Sequence, residues 1–471
     1  MIFFPPSLYL KSAFRLLLCI TLVIINNVSY AELPELGDPT LKSFSTEEEK
    51  KLGLMFYRTL SNNLNFIDDP QLSYYIKNLG QKLASHSDAN NNEFKFFIIN
   101  SPVINAFAGP DAYIGINSGL FLESSNESQL ASVMAHEISH VSQRHLARAI
   151  DESGSTAIAT FATVLAAILL GAQDSDVTQA VLYTGLAGSQ QKSINFTRNN
   201  EYEADRIGIG ILAKTGINPQ GMVEFFSTLL SKNGAGGIEY LRTHPLNSNR
   251  VSEASDRIKQ TQYNLPADSK DFQFAHARLE VLSHTTASNP ISNTANANDD
   301  ISGYRYSLEL MRTKQWSKAI EKLGELSARN KHPWIKLALA EAYAANSQVL
   351  QSLNLLENLA ELFPGYLPVT LLYTQILTAN GQPQKSITLL KHQLQISDET
   401  IVHKSLAQAY FKNGQISAAL ESTGNQYLKE GYLELALQQY EMALQQTNIS
   451  ISTRQRLQTK KETLNKKAVN P

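Results

Sequence analysis

From residue 45 the apolar positions recur at helical spacing to about residue 66, and a Thr46-x-x-Glu49 pair predicts a capping box at the start of this helix. Leu72, Ile76, Leu79 and Leu83 mark a second amphipathic helix after Pro70. The period then shortens. Phe94, Phe96 and Ile98 alternate with other residues, and Ala112-Tyr113-Ile114-Gly115-Ile116 follows a Gly109-Pro110 turn, so a small sheet is expected. A long helix is predicted over about 128–150. Residues 155–188 are largely small or apolar on either side of a polar break at 173–176, the pattern of a helical hairpin that is buried, covers a site or meets a partner. A further helix over about 199–214 is expected to stop at Gly216, with Pro219 beyond it.

Residues 283–301 are rich in Asn, Thr, Ser and Ala and poor in large apolar side chains, which predicts a polar linker. It divides a segment of residues 32–282 from one of residues 302–471. The latter repeats itself: Ala345-Asn346-Ser347, Asn380-Gly381-Gln382 and Asn413-Gly414-Gln415 recur, each between two amphipathic segments. The intervals between the asparagines, 34 and 33 residues, match tetratricopeptide repeats, whose helix pairs bury their apolar faces only by stacking into a solenoid. Ala342-Tyr343, Ala409-Tyr410, Pro364 and residues 431–443 fit the same pattern loosely.

Composition adds an address and removes some chemistries. Lys11 and Arg15 precede the apolar run of residues 16–25, and small residues stand at Ser29 and Ala31, as in an export signal cleaved after Ala31. The run is shorter than the roughly 20 residues a membrane span needs. Cys19, the single cysteine, lies within that signal, so the mature chain would hold no thiol and any site must be built from His, Asp and Glu. A net charge of −2 gives no reason to expect nucleic acid as a partner.

The candidate chemistry lies in His136-Glu137-Ile138-Ser139-His140. Four helical residues advance about 400°, so His136 and His140 share one face and can bind one metal ion. Glu137 follows at about 100° from His136, where its carboxylate can act on water as a general base without ligating the metal. A catalytic zinc needs a third protein ligand. His145 comes one residue early for the HExxHxxGxxH arrangement and, on a continuing helix, faces away from His140; it reads as a surface or supporting residue. Glu201 is the better candidate. It is four residues before Asp205, with the small Ala204 and Gly208 beside them, so Glu201 can ligate while Asp205 accepts a hydrogen bond from the outer nitrogen of a ligating histidine. Glu203 points elsewhere on the wheel and is expected in solvent.

The HEISH motif, its continuation Val141-Ser142-Gln143-Arg144-His145 and the block Glu201-Tyr202-Glu203-Ala204-Asp205 resemble the Oma/HtpX/CAAX-prenyl-protease family of zinc peptidases. The signal and the repeats resemble its periplasmic branch. The resemblance implies a mainly α protein, with an α+β gluzincin-type metallopeptidase domain carrying a small sheet, followed by a tetratricopeptide solenoid. It implies one Zn2+ held by His136, His140 and Glu201, with Glu137 as the catalytic base. Asn105, Ala106 and Phe107 precede the strand Ala112–Ile116 and are implied as the substrate strand, the edge that receives the substrate backbone in such peptidases. Asp111 departs from the glycine that relatives often carry there. His244 is either a donor to the oxyanion or a gate occupying the open metal position, and Arg250 is a second candidate for stabilising the transition state. The partners implied are unfolded or misassembled outer-membrane proteins, lipopolysaccharide-export substrates and the outer-membrane β-barrel assembly machinery. Two rival readings follow from the same residues. One is a predominantly non-proteolytic chaperone acting through its repeats, and the other is a metal-dependent hydrolase of cell-wall peptides.

Overall fold

The computed structural model describes residues 45–89, 93–153, 190–232, 238–260, 269–283, 299–447 and 449–469, together with Leu165. The expected export signal, nearly all of the apolar hairpin and residues 284–298 of the expected linker lie outside these. Helix α1 (Thr46–Asn63) opens on a capping box, but its members are Ser45 and Glu48, one residue earlier than the sequence pattern suggested. The shift frees Glu49 to reach Arg144, 3.5 Å away. Helix α2 (Pro70–Ala84) starts with Pro70 in its first turn, and the Asp69 side chain accepts hydrogen bonds from the amides of Gln71 and Leu72.

Three strands follow: β1 (Lys95–Ile99), β2 (Ala106–Ala108) and β3 (Tyr113–Asn117). Their order is β1-β3-β2, with β1 parallel and β2 antiparallel to β3. β3 is therefore the middle strand, and β2, which holds Ala106 and Phe107 of the expected substrate strand, lies at one edge with β1 at the other. Asp111 adopts the left-handed backbone region (φ 54°) despite its side chain. Its carboxylate and carbonyl both accept from Lys95 Nζ, which anchors the turn. Gly53 of α1 makes room for this turn, because a Cβ there would stand 2.5 Å from the Asp111 Cβ.

Helices α3 (Ser118–Glu123), α4 (Glu127–Ser142), α5 (His145–Ser153), α6 (Gln190–Thr215), α7 (Gln220–Lys232), α8 (Glu239–Thr243), α9 (Ser248–Lys259) and α10 (Lys270–Ser283) complete the N-terminal part. Helix α4 is buried nearly all round, its polar Ser128, Gln129, Ser132, His136, Glu137 and Ser139 included, with α2, β2, α6 and α7 packed about it. The single long helix expected over 128–150 is two helices. Arg144 takes a left-handed conformation (φ 52°) and breaks the run, so α5 leaves in a new direction.

The C-terminal part consists of α11 (Asp300–Arg312), α12 (Trp316–Arg329), α13 (Pro333–Ala345), α14 (Val349–Leu362), α15 (Leu367–Ala379), α16 (Pro383–Ile396), α17 (Thr400–Lys412), α18 (Ile416–Lys429), α19 (Leu433–Leu444) and α20 (Ile451–Val469). The pairs α11–α12, α13–α14, α15–α16 and α17–α18 are each joined by the same turn, which recurs between α18 and α19 at Gly431. Lys314, Ser347, Gly381 and Gly414 have φ between 59° and 77°. The amides of Gln315, Gln348, Gln382 and Gln415 reach back to the carbonyls of Leu310, Tyr343, Leu377 and Tyr410. The sequence displays three of these turns openly. The first is hidden because lysine occupies its left-handed position.

No break in the core separates the two parts. One cluster of buried side chains runs from Leu72 and Leu130 through Phe274 to Tyr304, Leu323 and Ala342. Buried Arg278 pairs with Asp69 at 2.7 Å and with Glu341 of α13 at 3.1 Å. Farther along, Tyr74 meets Tyr366 edge-on, Lys77 pairs with Glu399, and Arg58 of α1 lies over the Tyr432 ring and donates to the Glu430 carbonyl. The solenoid thus touches α1 and α2 at several points along its length. Among the described residues no helix is long and apolar enough to cross a membrane.

Candidate metal centre

The centre forms where α4 and α6 cross. Ala204 is fully buried, and a Cβ on Gly208 would stand 3.4 Å from the His136 amide nitrogen, so small residues let the helices approach closely. The Nε2 atoms of His136 and His140 lie 3.0 Å apart. Glu201 places Oε2 3.3 Å from His136 Nε2 and Oε1 3.4 Å from His140 Nε2. His244, just past α8, brings Nδ1 to 3.1 Å from Glu201 Oε1 and 3.3 Å from His136 Nε2. Ligand atoms of these four residues all lie within 4.8 Å of one another. Two imidazoles and a carboxylate converging from separate elements form a donor set that fits a divalent cation, and His244 occupies a fourth position beside them.

Around this set the outer nitrogens are engaged. His136 Nδ1 is 2.9 Å from Asp205 Oδ1. Arg250 departs from expectation. Its guanidinium donates twice to Asp205, at 2.7 and 2.8 Å, and also to the Pro245 carbonyl; it lies 2.9 Å from Glu201. Buried behind the two carboxylates, it holds both in place. Of the two positions expected for His145, surface or supporting, its burial excludes the first. The break at Arg144 swings it inward, so that it is 4% exposed with Nδ1 2.7 Å from His140 Nδ1. Its Nε2 lies 3.1 Å from Glu203, and Glu203 is held by Arg148 at 2.8 Å instead of being free in solvent. Sequence reasoning missed this second network because it assumed one unbroken helix.

The electrostatics follow from the burial. Burial disfavours a charge on His136, but the carboxylates of Asp205 and Glu201 outweigh it and raise the group to about 10. Surroundings that hold a proton so firmly attract a divalent cation through the same Coulombic field. Burial lowers His140 well below its usual value and takes His145 down to about 4, so both are neutral imidazoles at pH 7. Burial opposes ionisation of Glu201, yet His244 and His136 hold it well below the usual carboxylate range. Glu137 differs: burial raises it, with His244 and His136 only partly countering. A raised carboxylate beside a cation site is the environment of a general base.

Glu137 lies 3.3 Å from His244 Nε2 and faces the Ala108 amide of β2. On either side of β2, the Asn105 carbonyl accepts from the Asn117 amide and the Gly109 amide donates to the Tyr113 carbonyl. By the alternation of an antiparallel ladder, the N–H and C=O groups of Ala106 and Ala108 point away from β3, along the edge beside α4. Tyr240, four residues before His244 and not singled out from the sequence, stacks on its ring with centroids 4.7 Å apart.

Residues 70–258 match peptidase family M48. The "Beta-barrel assembly-enhancing protease" of Escherichia coli (strain K12) is 33% identical over 417 residues, which span 86% of this chain and 85% of that protein. The chain belongs to peptidase family M48. It is a metalloendopeptidase, and within the family its similarity extends in two directions. The "Putative beta-barrel assembly-enhancing protease" of Vibrio cholerae is 39% identical over 53% of this chain and 52% of its own. The "Metalloprotease YcaL" of E. coli is 29% identical over 38% of this chain and 70% of its own. The M48 match begins at α2 and ends in α9, so it contains every residue of the centre.

Proposed function

We propose that this M48 peptidase is a zinc endopeptidase of the periplasm, exported by a cleaved signal over residues 1–31, that cuts exposed segments of misassembled outer-membrane proteins. Its peptidase domain spans residues 32–282, and the repeats of residues 302–471 bind the same clients and assist their assembly as a chaperone. The observation that carries this reading is the meeting of His136, His140 and Glu201 beside a buried Glu137 and the outer edge of β2. Two imidazoles with one carboxylate suit zinc among the common divalent ions. When bound, the cation supplies Lewis-acid polarisation and makes water more acidic.

The chain's own residues do the rest. Asn105, Ala106 and Phe107, with Ala108, offer a strand edge to which an extended peptide adds as a further strand, which selects unfolded segments. Glu137 takes the proton from the attacking water and returns it to the departing amine. His244 is a gate: lying among the ligand atoms, it must swing aside with its loop before a substrate carbonyl reaches them. The name shared by the relatives supports the client class and a partnership with the outer-membrane β-barrel assembly machinery.

Metal analysis joined to a cleavage assay on an unfolded outer-membrane protein tests the reading. Wild type should bind one zinc per chain and cleave. Glu137→Gln should keep the zinc and lose about 10²–10⁴ in rate. A Glu137→Gln protein that still supports assembly in cells would move the main role to the chaperone. The gate idea fails if His244→Ala abolishes hydrolysis, the result expected of an oxyanion donor.

A further inference from the structure

The two metal-facing imidazoles are held in different ways. His136 meets a carboxylate directly, with Nδ1 2.9 Å from Asp205. His140 meets a second histidine, and a nitrogen facing a nitrogen at 2.7 Å forms a bond only if one carries a hydrogen and the other a lone pair. Either direction is open to the pair alone. If His145 donates, the hydrogen of neutral His140 moves to Nε2, and that nitrogen has no lone pair for a metal. If His140 donates from Nδ1, its Nε2 lone pair points into the ligand cluster.

Glu203 removes the ambiguity. Its Oε2 lies 3.1 Å from His145 Nε2 and accepts only, so His145 must carry its hydrogen on Nε2. A neutral His145 then presents its Nδ1 lone pair, and a His140 whose Nε2 binds a metal carries its hydrogen on Nδ1 and donates it there. Arg148 donates to the same Oε2 at 2.8 Å and keeps the carboxylate in place. The geometry that permits the chain is local. The left-handed Arg144 ends α4, and Glu49 of α1 lies 3.5 Å from its guanidinium, so His145 turns toward His140 rather than away.

We propose that His145 is a positioning residue which, directed by Glu203 and Arg148, fixes the tautomer and ring orientation of His140 for metal binding. This goes beyond the assignment of the ligands but rests on the reading of His140 as one of them. The alternating chain His140–His145–Glu203–Arg148 does for one ligand what Asp205 and Arg250 do for the other.

The test uses the full chain, with Zn2+ affinity measured by competition against a chelator and the visible spectrum of the Co2+-loaded protein as a second readout. His145→Leu keeps the bulk, removes the acceptor and should weaken Zn2+ binding about 10–100-fold while shifting the Co2+ bands. His145→Asn restores an acceptor near the Nδ1 position and should recover most of the loss. Glu203→Gln, whose amide can accept or donate and so no longer dictates a direction, should cost about tenfold. Wild-type affinity in His145→Leu, or equal losses in the Leu and Asn variants, overturns the proposal. Should His145→Leu fail to fold, Glu203→Gln decides, and unchanged affinity there also overturns it. His140→Ala separates the two readings: if it binds Zn2+ as well as wild type, the ligand assignment itself is wrong.

Discussion

The metal centre and the helical repeats stabilise themselves by opposite means. Around the α4–α6 crossing the buried side chains include His136, Glu137, His145, Glu201, Asp205, His244 and Arg250, each facing an opposite charge or a hydrogen-bonding group. In the repeats the buried positions are chiefly Leu, Ala and Tyr, as in the cluster of Leu337, Ala340, Leu356, Leu359 and Tyr373. Buried charges cost several kcal/mol each on the order of magnitude unless they are matched, so the centre tolerates little rearrangement. Apolar contacts between neighbouring helices are interchangeable and local, so a solenoid loses stability in pieces. A site that must hold fixed geometry uses the first means, and a surface that must extend uses the second.

The contrast can be broken by substitution. Arg250→Ala leaves Asp205 and Glu201 buried without their cation and should destabilise the fold by about 3–5 kcal/mol, read from denaturant unfolding, while also weakening Zn2+ binding. A cost under about 1 kcal/mol, the range of exposed pairs, would mean that water reaches these carboxylates and that the centre is not a closed network. Leu356→Ala, at a fully buried position of α14, should cost about 2–5 kcal/mol. Its loss should appear as early hydrogen exchange in the neighbouring repeats with Zn2+ affinity unchanged; a matching loss of affinity would show that the two regions do not respond separately.

The pH dependence sharpens the comparison from the side of chemistry. Burial raises Glu137 above the usual 4.5, and the base works only when ionised. Hydrolysis should therefore fall as pH drops through that raised value, about tenfold per unit, beginning at a higher pH than an exposed glutamate would give. An acid limb that begins at or below 4.5 in kcat/KM would remove Glu137 from the role. The smallest effect belongs to the surface between the two parts. Lys77→Ala breaks a half-exposed pair with Glu399 and should change stability by no more than about 1 kcal/mol, less at high salt, in the same unfolding measurement.

Much of this was legible before any coordinates. The i, i+4 spacing of His136 and His140 puts both rings on one face of any helix, and the same spacing pairs Glu201 with Asp205. The recurrence of Asn-Gly-Gln near residues 381 and 414 reports a backbone turn that glycine adopts without strain. The strand assignments were less complete, because β2 is three residues long and lacks a run in which alternation can show. The polar linker divides the chain in sequence, while Arg278 and the cluster through Ala342 join the two parts in space. Long-range packing of that kind has no local period.

By itself, then, the sequence determined which residues could ligate, which could act as base, and that repeating helix pairs follow, since these depend on periodicities within one element. Only the tertiary structure decided that Arg144 breaks the helix, that His145 and Glu203 turn inward, and that Arg250 supports carboxylates rather than facing a substrate. Each of these depends on where one element's charge falls against another's. Such pairings are fixed by burial and mutual neutralisation across tens of residues, and no spacing along the chain encodes them.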